Sequence, residues 1–223
     1  MIWNMTDVRA SWTPYEWVEK YRFAYSGPYN KAAVALTFDD GPDPVFTPQI
    51  LDKLKAHGVK ATFFLLGENV VQYPEIVKRI AAEGHQIGNH TFSHPDLTKI
   101  DQGWFQWELQ HTDQLIKNLV GYSPRFFRPT YGGIDEPKLA WATKQDYMTI
   151  QWTIDTLDWE GRDKGTIANT VTAEAMPGSI ILQHNAAGVP LQGSVDSLDI
   201  VIPALKQKGA RFVTLSEMFG MPK

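Results

Sequence analysis

Two adjacent carboxylates follow the first strongly apolar segment of the chain. The segment Val34–Phe38 runs directly into Asp39 and Asp40. Two carboxylates at the mouth of a buried strand are costly to desolvate unless a positive charge lies beside them. A bound metal ion is the obvious source of that charge, so the pair predicts a metal site.

Two histidines could supply the remaining ligands. If His90 and His94 lie in a helical turn, their spacing places both imidazoles on one face. Alone, such a pair is weak evidence for a metal site, because two histidines at this spacing are more often surface or capping residues. With Asp40 from a neighbouring strand, the pair would complete a catalytic zinc shell of two histidines and one carboxylate, which other divalent ions could also use.

The second carboxylate is free for another task. Asp39 could accept a proton from a water that the metal has acidified, although an aspartate before Gly41 could instead cap a turn. Arg128 could hold Asp39 ionised and oriented, whereas an arginine at a strand end more often forms a surface salt bridge. The Pro- and Gly-containing loop after Arg128 could direct a backbone N–H towards an oxyanion.

A third histidine follows a later apolar strand. His184 could be a structural residue, a third metal ligand or the proton donor to a leaving amine. Either Asp155 or Asp158 could keep it protonated, and Trp159 could belong to the core or form a wall of the site. Three other histidines are not expected to be ligands: His57, His85 and His111.

Strand-like and helical segments alternate from residue 31 onwards. The predicted strands are Val34–Phe38, Ala61–Leu66, Gln86–Gly88, Arg125–Phe127, Met148–Gln151, Ser179–Leu182 and Arg211–Val213. The predicted helices lie near residues 46–57, 71–83, 102–119, 136–145, 166–175 and 196–208. This alternation is typical of βαβ units, and seven strands in one domain predict a closed or nearly closed barrel, with an open doubly wound sheet as the alternative. The polar clusters follow five of these strands, where catalytic residues collect in α/β barrels.

Composition narrows the class of protein. The 223 residues fit one large domain, and 43% hydrophobic residues provide a sizeable core. A net charge of -4 without a basic stripe argues against a nucleic-acid partner. The absence of cysteine excludes disulfides and thiolate ligands, and no apolar stretch approaches the roughly 20 residues that span a bilayer. Residues 1–30 are predicted to be an N-terminal extension with a short helix starting near Thr13 and Pro14.

Five motifs resemble, in order, those of the polysaccharide deacetylase family, which is also called the NodB homology domain or carbohydrate esterase family 4. They are Thr37–Gly41, His90–His94, Arg128–Gly132, Asp155–Trp159 and Ile181–Asn185. Only the first two motifs are specific singly, but all five in order are highly specific. The resemblance covers residues 31–217, which we therefore expect to form a NodB-like domain.

The resemblance implies a distorted (β/α) barrel that removes acetyl groups from N-acetylglucosamine units of a polysaccharide or oligosaccharide. It implies one divalent metal ion, usually Zn²⁺ with Co²⁺ as another option, on Asp40, His90 and His94. It also implies that Asp39 is the base and His184 the acid.

Five further residues take supporting roles by position in the motifs. Arg128 would orient the base and Asp158, rather than Asp155, would tune the acid. The backbone N–H of Tyr131 would stabilise the oxyanion, while Trp159 and Leu182 would shape the pocket for the acetyl methyl group. The sequence departs from the family pattern at Thr130 and Asn185, where Pro and Asp are common.

The expected partner is an N-acetylated glycan such as chitin oligomers or peptidoglycan. One alternative is an O-acetyl esterase acting on xylan. Another is an inactive glycan-binding or structural domain, against which the intact Asp39 and Asp40 argue. We expect a monomer that is secreted or in the cell envelope, where polymeric glycans lie. The first residues lack a signal-peptide pattern, which leaves a cytoplasmic location open.

Overall fold

A computed structural model describes residues 16–30 and 32–222. Its strands are β1 (Phe23–Ala24), β2 (Ala33–Gly41), β3 (Thr62–Leu65), β4 (Gln86–Asn89), β5 (Phe126–Phe127), β6 (Met148–Ile150), β7 (Ile154–Asp155), β8 (Ile180–His184) and β9 (Arg211–Phe212). Its α-helices are α1 (Trp17–Lys20), α2 (Phe46–Ala56), α3 (Gly67–Gln72), α4 (Pro74–Ala82), α5 (Gln102–Val120), α6 (Glu136–Lys144), α7 (Lys164–Glu174), α8 (Gln192–Gln207) and α9 (Leu215–Phe219). Single 3₁₀ turns lie at Thr130–Gly132 and Asp158–Glu160.

The strands form one parallel sheet in the order β1-β6-β5-β4-β3-β2-β8-β7, and β9 pairs with β2. Within the described residues no backbone pairing joins β1 to β7, so the barrel is not closed by hydrogen bonds. The prediction of a distorted (β/α) barrel is confirmed. All seven predicted strands are present, whereas β1 and β7 were not predicted because two residues are too short for a periodic signal.

The six predicted helical segments are present, but α9 was not predicted, because five residues are too short for a periodic signal, and one predicted segment differs in the structure. The segment predicted as one helix over residues 71–83 is two helices, α3 and α4, which meet at Tyr73. Pro74 occupies the first position of α4, where its missing N–H costs no hydrogen bond, and proline disfavours helical backbone in the residue before it. The chain therefore begins a new helix at Pro74.

The main core lies between the sheet and the helices that cover it. Helix α8 buries Leu198, Val201, Ile202 and Leu205, which recur at the spacing of one helical face, and it packs against α2 and α7. Each such side chain contributes roughly 1.5–3 kcal/mol when it is removed from water. This packing sets α8 against the strands whose carboxyl ends carry the polar residues.

The segment before residue 31 also contacts the sheet. Strand β1 pairs with β6, and Trp17 and Phe23 belong to an apolar cluster that includes Phe127. The start of the predicted N-terminal helix at Thr13 and Pro14 lies outside the described residues. The division into an extension of residues 1–30 and a domain of residues 31–217 stays a prediction. No helix of the described part is long and apolar enough to cross a bilayer.

Gly88 in β4 makes room for the core beneath the polar cluster. A Cβ at this position would lie 2.4 Å from the ring of Phe64 and 3.2 Å from the Phe126 carbonyl oxygen. We expect Gly88→Ala to lower the free energy of unfolding by about 1–3 kcal/mol, as overpacking does. Gly188→Ala is the control, because nothing lies within 4 Å of its Cβ position. Urea denaturation measures both; equal stabilities would contradict the prediction.

Candidate active site

Asp39 and Asp40 reach the same site although neighbouring residues of a regular strand point to opposite faces. Asp39 Oδ2 lies 3.7 Å and Asp40 Oδ1 lies 3.3 Å from the same atom, His90 Nε2. The pairing of β2 with β3 shifts register between Phe38 and Gly41, and the φ angle of Asp40 is +72°. This irregularity at the end of β2 directs both carboxylates inward.

Three side chains form a group that could hold a metal ion. One ligand atom from each of Asp40, His90 and His94 lies within 4.8 Å of the others. His90 Nδ1 lies 2.8 Å from the Arg128 carbonyl oxygen, which requires a donor there and leaves Nε2 facing the group as a lone-pair ligand. Two imidazoles and one carboxylate are a donor set of catalytic divalent-metal sites.

One unsatisfied atom supports this fit. Asp40 Oδ1 is buried and makes no well-aligned hydrogen bond to any described residue. The Nε2 atoms of His90 and His94 each lie 3.3 Å from it. A buried carboxylate oxygen without a partner is costly, and a cation shared with the two imidazoles would remove that cost.

The charges of the site favour a cation at this place. Burial opposes the charged form of His90, but the carboxylates of Asp39 and Asp40 raise its pKa above the usual value. Burial likewise opposes ionisation of Asp40, yet the adjacent imidazoles lower its pKa. Burial and the charge of His90 lower the pKa of His94, which favours the neutral imidazole that a metal requires.

The two histidines do not share a helix, so the expectation of a helical turn is wrong. Residues 91–94 form an irregular loop after β4, and the φ angles of Thr91 and His94 are +73° and +57°. The loop still brings the ring centroids of His90 and His94 to 5.1 Å. Their convergence depends on a strained backbone rather than on helical periodicity.

Arg128 forms a buried ion pair with Asp39. The guanidinium is fully buried, and Nη1 donates to Asp39 Oδ1 at 2.7 Å and to Thr37 Oγ1 at 2.8 Å. The other nitrogens donate to the carbonyl oxygens of Ile150 and Gln151. Asp39 is therefore fixed by a buried ion pair whose cation is itself held by the adjacent strand.

The guanidinium also lies over the ring of Phe64, 4.3 Å from its centroid. Burial lowers the pKa of Arg128 from its usual value, and the charge of Asp39 opposes that effect. Breaking a buried pair by removing one partner typically costs about 3–5 kcal/mol. The sequence predicted the contact with Asp39 but not the stacking on Phe64.

His184 is held by Asp158 and not by Asp155. Asp158 Oδ1 lies 2.7 Å from His184 Nδ1, and Oδ2 accepts from the backbone N–H of His184 at 2.8 Å. Ser194 donates to the same Oδ2 at 2.6 Å, a contact without a sequence signal. Asp155 instead accepts from the N–H of Leu157.

The protonation of His184 follows from these contacts. Burial opposes its charged form, but the hydrogen bond to Asp158 and the charge of that carboxylate raise the pKa of His184 to about 9. Asp39 and His184 also occupy facing positions in the register of β2 and β8. A carboxylate and a protonated imidazole thus lie on neighbouring strands at the same end of the sheet.

The remaining predicted residues occupy the rim and the adjacent strand. Tyr131 is 73% exposed, has a φ angle of +56°, and places its ring 4.6 Å from that of His94. It lies in a 3₁₀ turn, whose first backbone N–H groups have no partner within the turn. Trp159 is half-exposed beside Asp158, and Leu182 is buried in β8.

Asn185, which departs from the family pattern, has a structural contact at the site. Its Oδ1 accepts from the backbone N–H of Gly41 at 3.1 Å, and its Nδ2 donates to Thr47 Oγ1 at 2.9 Å. Asn185 thereby connects the end of β8 to Gly41, the residue that follows the tandem carboxylates.

Two of the histidines that were not expected to be ligands have other contacts. His57 contacts Asp199, and His111 stacks on a tryptophan of α5.

The chain is similar to known proteins over most of its length. The family model described as polysaccharide deacetylase matches residues 26–150. A peptidoglycan-N-acetylglucosamine deacetylase of Bacillus cereus is 60% identical over 217 residues, which cover 97% of this chain and 79% of that protein. The peptidoglycan-N-acetylglucosamine deacetylase PgdA of Listeria monocytogenes is 41% identical over 187 residues; the match covers 84% of this chain and only 39% of that protein.

A solved structure of a deacetylase is also similar to this chain. The crystal structure of the Bc1960 peptidoglycan N-acetylglucosamine deacetylase, in complex with 4-naphthalen-1-yl-N-oxidanyl-benzamide, superposes with a TM-score of 0.94 at 60% identity. The match covers 95% of this chain and 99% of that one. The chain belongs to the polysaccharide deacetylase family. It is a deacetylase of the hydrolase class, in a family whose members are metal-dependent in general.

The pairing of His184 with Asp158 predicts a measurable titration. In the metal-free protein we expect an NMR-detected pKa of about 9 for His184. Asp158→Asn removes the anion and leaves the burial, so it should lower that pKa below the wild-type value. Asp155→Asn is the control and should change it far less. A larger shift in the Asp155 variant would contradict the assignment.

The same pairing predicts how stability depends on pH. The pKa of His184 is raised in the folded state, so its stabilising contribution is complete below the ordinary value of 6.5 and is lost as pH rises through about 9. The difference in unfolding free energy between wild type and Asp158→Asn should shrink over this range.

Proposed function

We propose that this chain removes the N-acetyl group from N-acetylglucosamine residues of peptidoglycan, with one divalent metal ion, most simply Zn²⁺. The observation that carries the proposal is the group of Asp40, His90 and His94 with Asp39 and its buried arginine at its side. The names of the Bacillus cereus and Listeria monocytogenes relatives support this polymer as the substrate.

A divalent ion on Asp40, His90 and His94 would acidify a water and polarise the acetyl carbonyl. Asp39 is the residue beside this group that can accept the proton of the attacking water. Its Oδ1 is occupied by Arg128, and its Oδ2 lies on the side of His90. The ion pair restricts the rotation of Asp39 and leaves one carboxylate oxygen free to accept a proton.

His184 is the proton donor in this proposal. Asp158 holds its Nδ1, so Nε2 is the ring atom left to give a proton to the leaving amine. A pKa of about 9 keeps the imidazole protonated at neutral pH. Base and acid then have opposite protonation states before the reaction, as amide hydrolysis requires.

Two residues at the rim and one buried in β8 complete the proposed site. The Tyr131 backbone N–H would donate to the oxyanion. It lies at the start of the 3₁₀ turn, where it has no acceptor within the turn. Trp159 and Leu182 would contact the acetyl methyl group. We also propose a monomer acting in the cell envelope, where peptidoglycan lies, and an active domain of residues 31–217.

Acetate release tests the function. Purified protein with Zn²⁺ or Co²⁺ should release acetate from peptidoglycan and leave acetylxylan unchanged, and a chelator should abolish release until metal is restored. Faster release from chitin oligomers would overturn the peptidoglycan assignment but retain the deacetylase. Release that survives complete removal of metal would overturn the proposed role of the ion.

The tandem carboxylates predict two different failures. Asp39→Asn should reduce turnover by at least 10²-fold while zinc content stays near one ion, because the proton acceptor is lost but Asp40, His90 and His94 are unchanged. Asp40→Asn should lose the ion, because a ligand is lost. Metal analysis and acetate assays measure both. Asp52→Asn, an exposed surface carboxylate paired with Arg79, is the control and should change neither. Loss of zinc from the Asp39 variant would contradict its role as base.

A further inference from the structure

Glu108 is a fully buried carboxylate that lies outside all five motifs. It projects from α5, and its carboxylate accepts four hydrogen bonds from three residues. Oε2 accepts from the backbone N–H groups of Phe92 and Ser93 at 2.7 and 2.8 Å. Oε1 accepts from Ser93 Oγ at 2.6 Å and from Trp104 Nε1 at 2.8 Å. A carboxylate offers only acceptors, which matches four donors.

Phe92 and Ser93 lie between the two histidines of the metal group. The loop is strained, because the residues at its two ends, Thr91 and His94, both have positive φ angles. Such a backbone persists only where its surroundings hold it. Glu108 binds both N–H groups at the centre of the loop, at the point that decides where His94 lies relative to His90.

The opposite side of the loop is held by two backbone hydrogen bonds and by the side chain of Asn89. The carbonyl oxygens of Thr91 and Phe92 accept from the N–H groups of Gly67 and Glu68 at the start of α3. Gly67 allows this close approach, because a Cβ there would lie 2.3 Å from the Phe92 ring. Asn89 Oδ1 accepts from the N–H of Thr91. The loop therefore lies between α3 and α5. On the α5 side Glu108 accepts its hydrogen bonds, while Trp107 and His111 pack their rings against Phe92.

We propose that Glu108 is a positioning residue for the metal site: it fixes the loop in the one conformation that brings His94 Nε2 to Asp40 and His90. The proposal rests on the proposed metal site. Helix α5 makes the support rigid, since it is 19 residues long and is capped by Asp101, whose side chain accepts from the N–H of Trp104. Glu108 touches no reacting atom and acts through His94.

The test is the affinity of the metal-free protein for Co²⁺, measured by competition with a chromophoric chelator. Glu108→Ala leaves the backbone N–H groups of Phe92 and Ser93 without their acceptor, so the loop can leave its strained conformation. We expect the dissociation constant to rise by about 10–100-fold, as with other residues that orient metal ligands. An unchanged constant in a folded Glu108→Ala protein would overturn the proposal.

A matched control separates positioning from stability. Gln86 is equally buried at the other end of β4, and its side chain accepts from the backbone N–H of Ser216 at 2.8 Å. Gln86→Ala should lower the melting temperature of the metal-free protein while its affinity for Co²⁺ stays at the wild-type value. Equal losses of affinity in the Gln86 and Glu108 variants would overturn the proposal, because general destabilisation would then explain both.

Two milder variants keep the test decisive if Glu108→Ala does not fold. Glu108→Gln retains one oxygen for the two backbone N–H groups, so the affinity of this variant for Co²⁺ should lie between those of wild type and Glu108→Ala. If Glu108→Ala cannot be measured, the affinity of Glu108→Gln should still lie below that of wild type. Wild-type affinity in Glu108→Gln would then overturn the proposal. Trp104→Phe removes one donor without touching the loop and should bind Co²⁺ as wild type does. A wild-type protein that binds no Co²⁺ would overturn the metal site and this proposal together.

Discussion

A buried cation beneath a pair of carboxylates is the constraint on which the site depends. Arg128 cannot be hydrated where it lies, so its guanidinium must be satisfied by Asp39, Thr37 and two carbonyl oxygens of the neighbouring strand segment. This places one carboxylate of the tandem in a fixed orientation and neutralises it. Asp40 remains the carboxylate without a cation of its own. The electrostatic asymmetry between two adjacent aspartates thus arises from one arginine that comes from three strands away in the sheet order.

Much of the fold and the set of site residues could be predicted from the sequence. The apolar runs of β2 and β8 are long enough for the strand period to be read, and glycine and proline mark the ends of several helices. Parallel strands bring their carboxyl ends to one edge, so polar residues after those strands had to meet. The choice between Asp155 and Asp158 needed either the family resemblance or the structure, because spacing alone allows both.

Other features were beyond sequence reasoning because they depend on tertiary contacts. The left-handed conformations of Asp40 and His94 could not be predicted from residue type, since aspartate and histidine are enriched in this region but still adopt it rarely. The spacing of His90 and His94 suggested a helix, but α3 and α5 hold that loop in another shape. Ser194 reaches Asp158 from a helix that begins 34 residues later in the chain than the aspartate. Such contacts between distant segments follow from packing, which local patterns do not encode.

The register of β2 and β8 has a consequence for how this enzyme can diversify. Asp39 and His184 are paired in the register of the two strands, so the separation of their backbones is set by the spacing of about 4.8 Å between neighbouring strands. Surface loops do not determine it. Insertions or exchanges in the loops around the cleft can therefore alter which sugar polymer binds, while the backbone positions of Asp39 and His184 stay the same. In this architecture the substrate can change without a change in the residues that transfer protons.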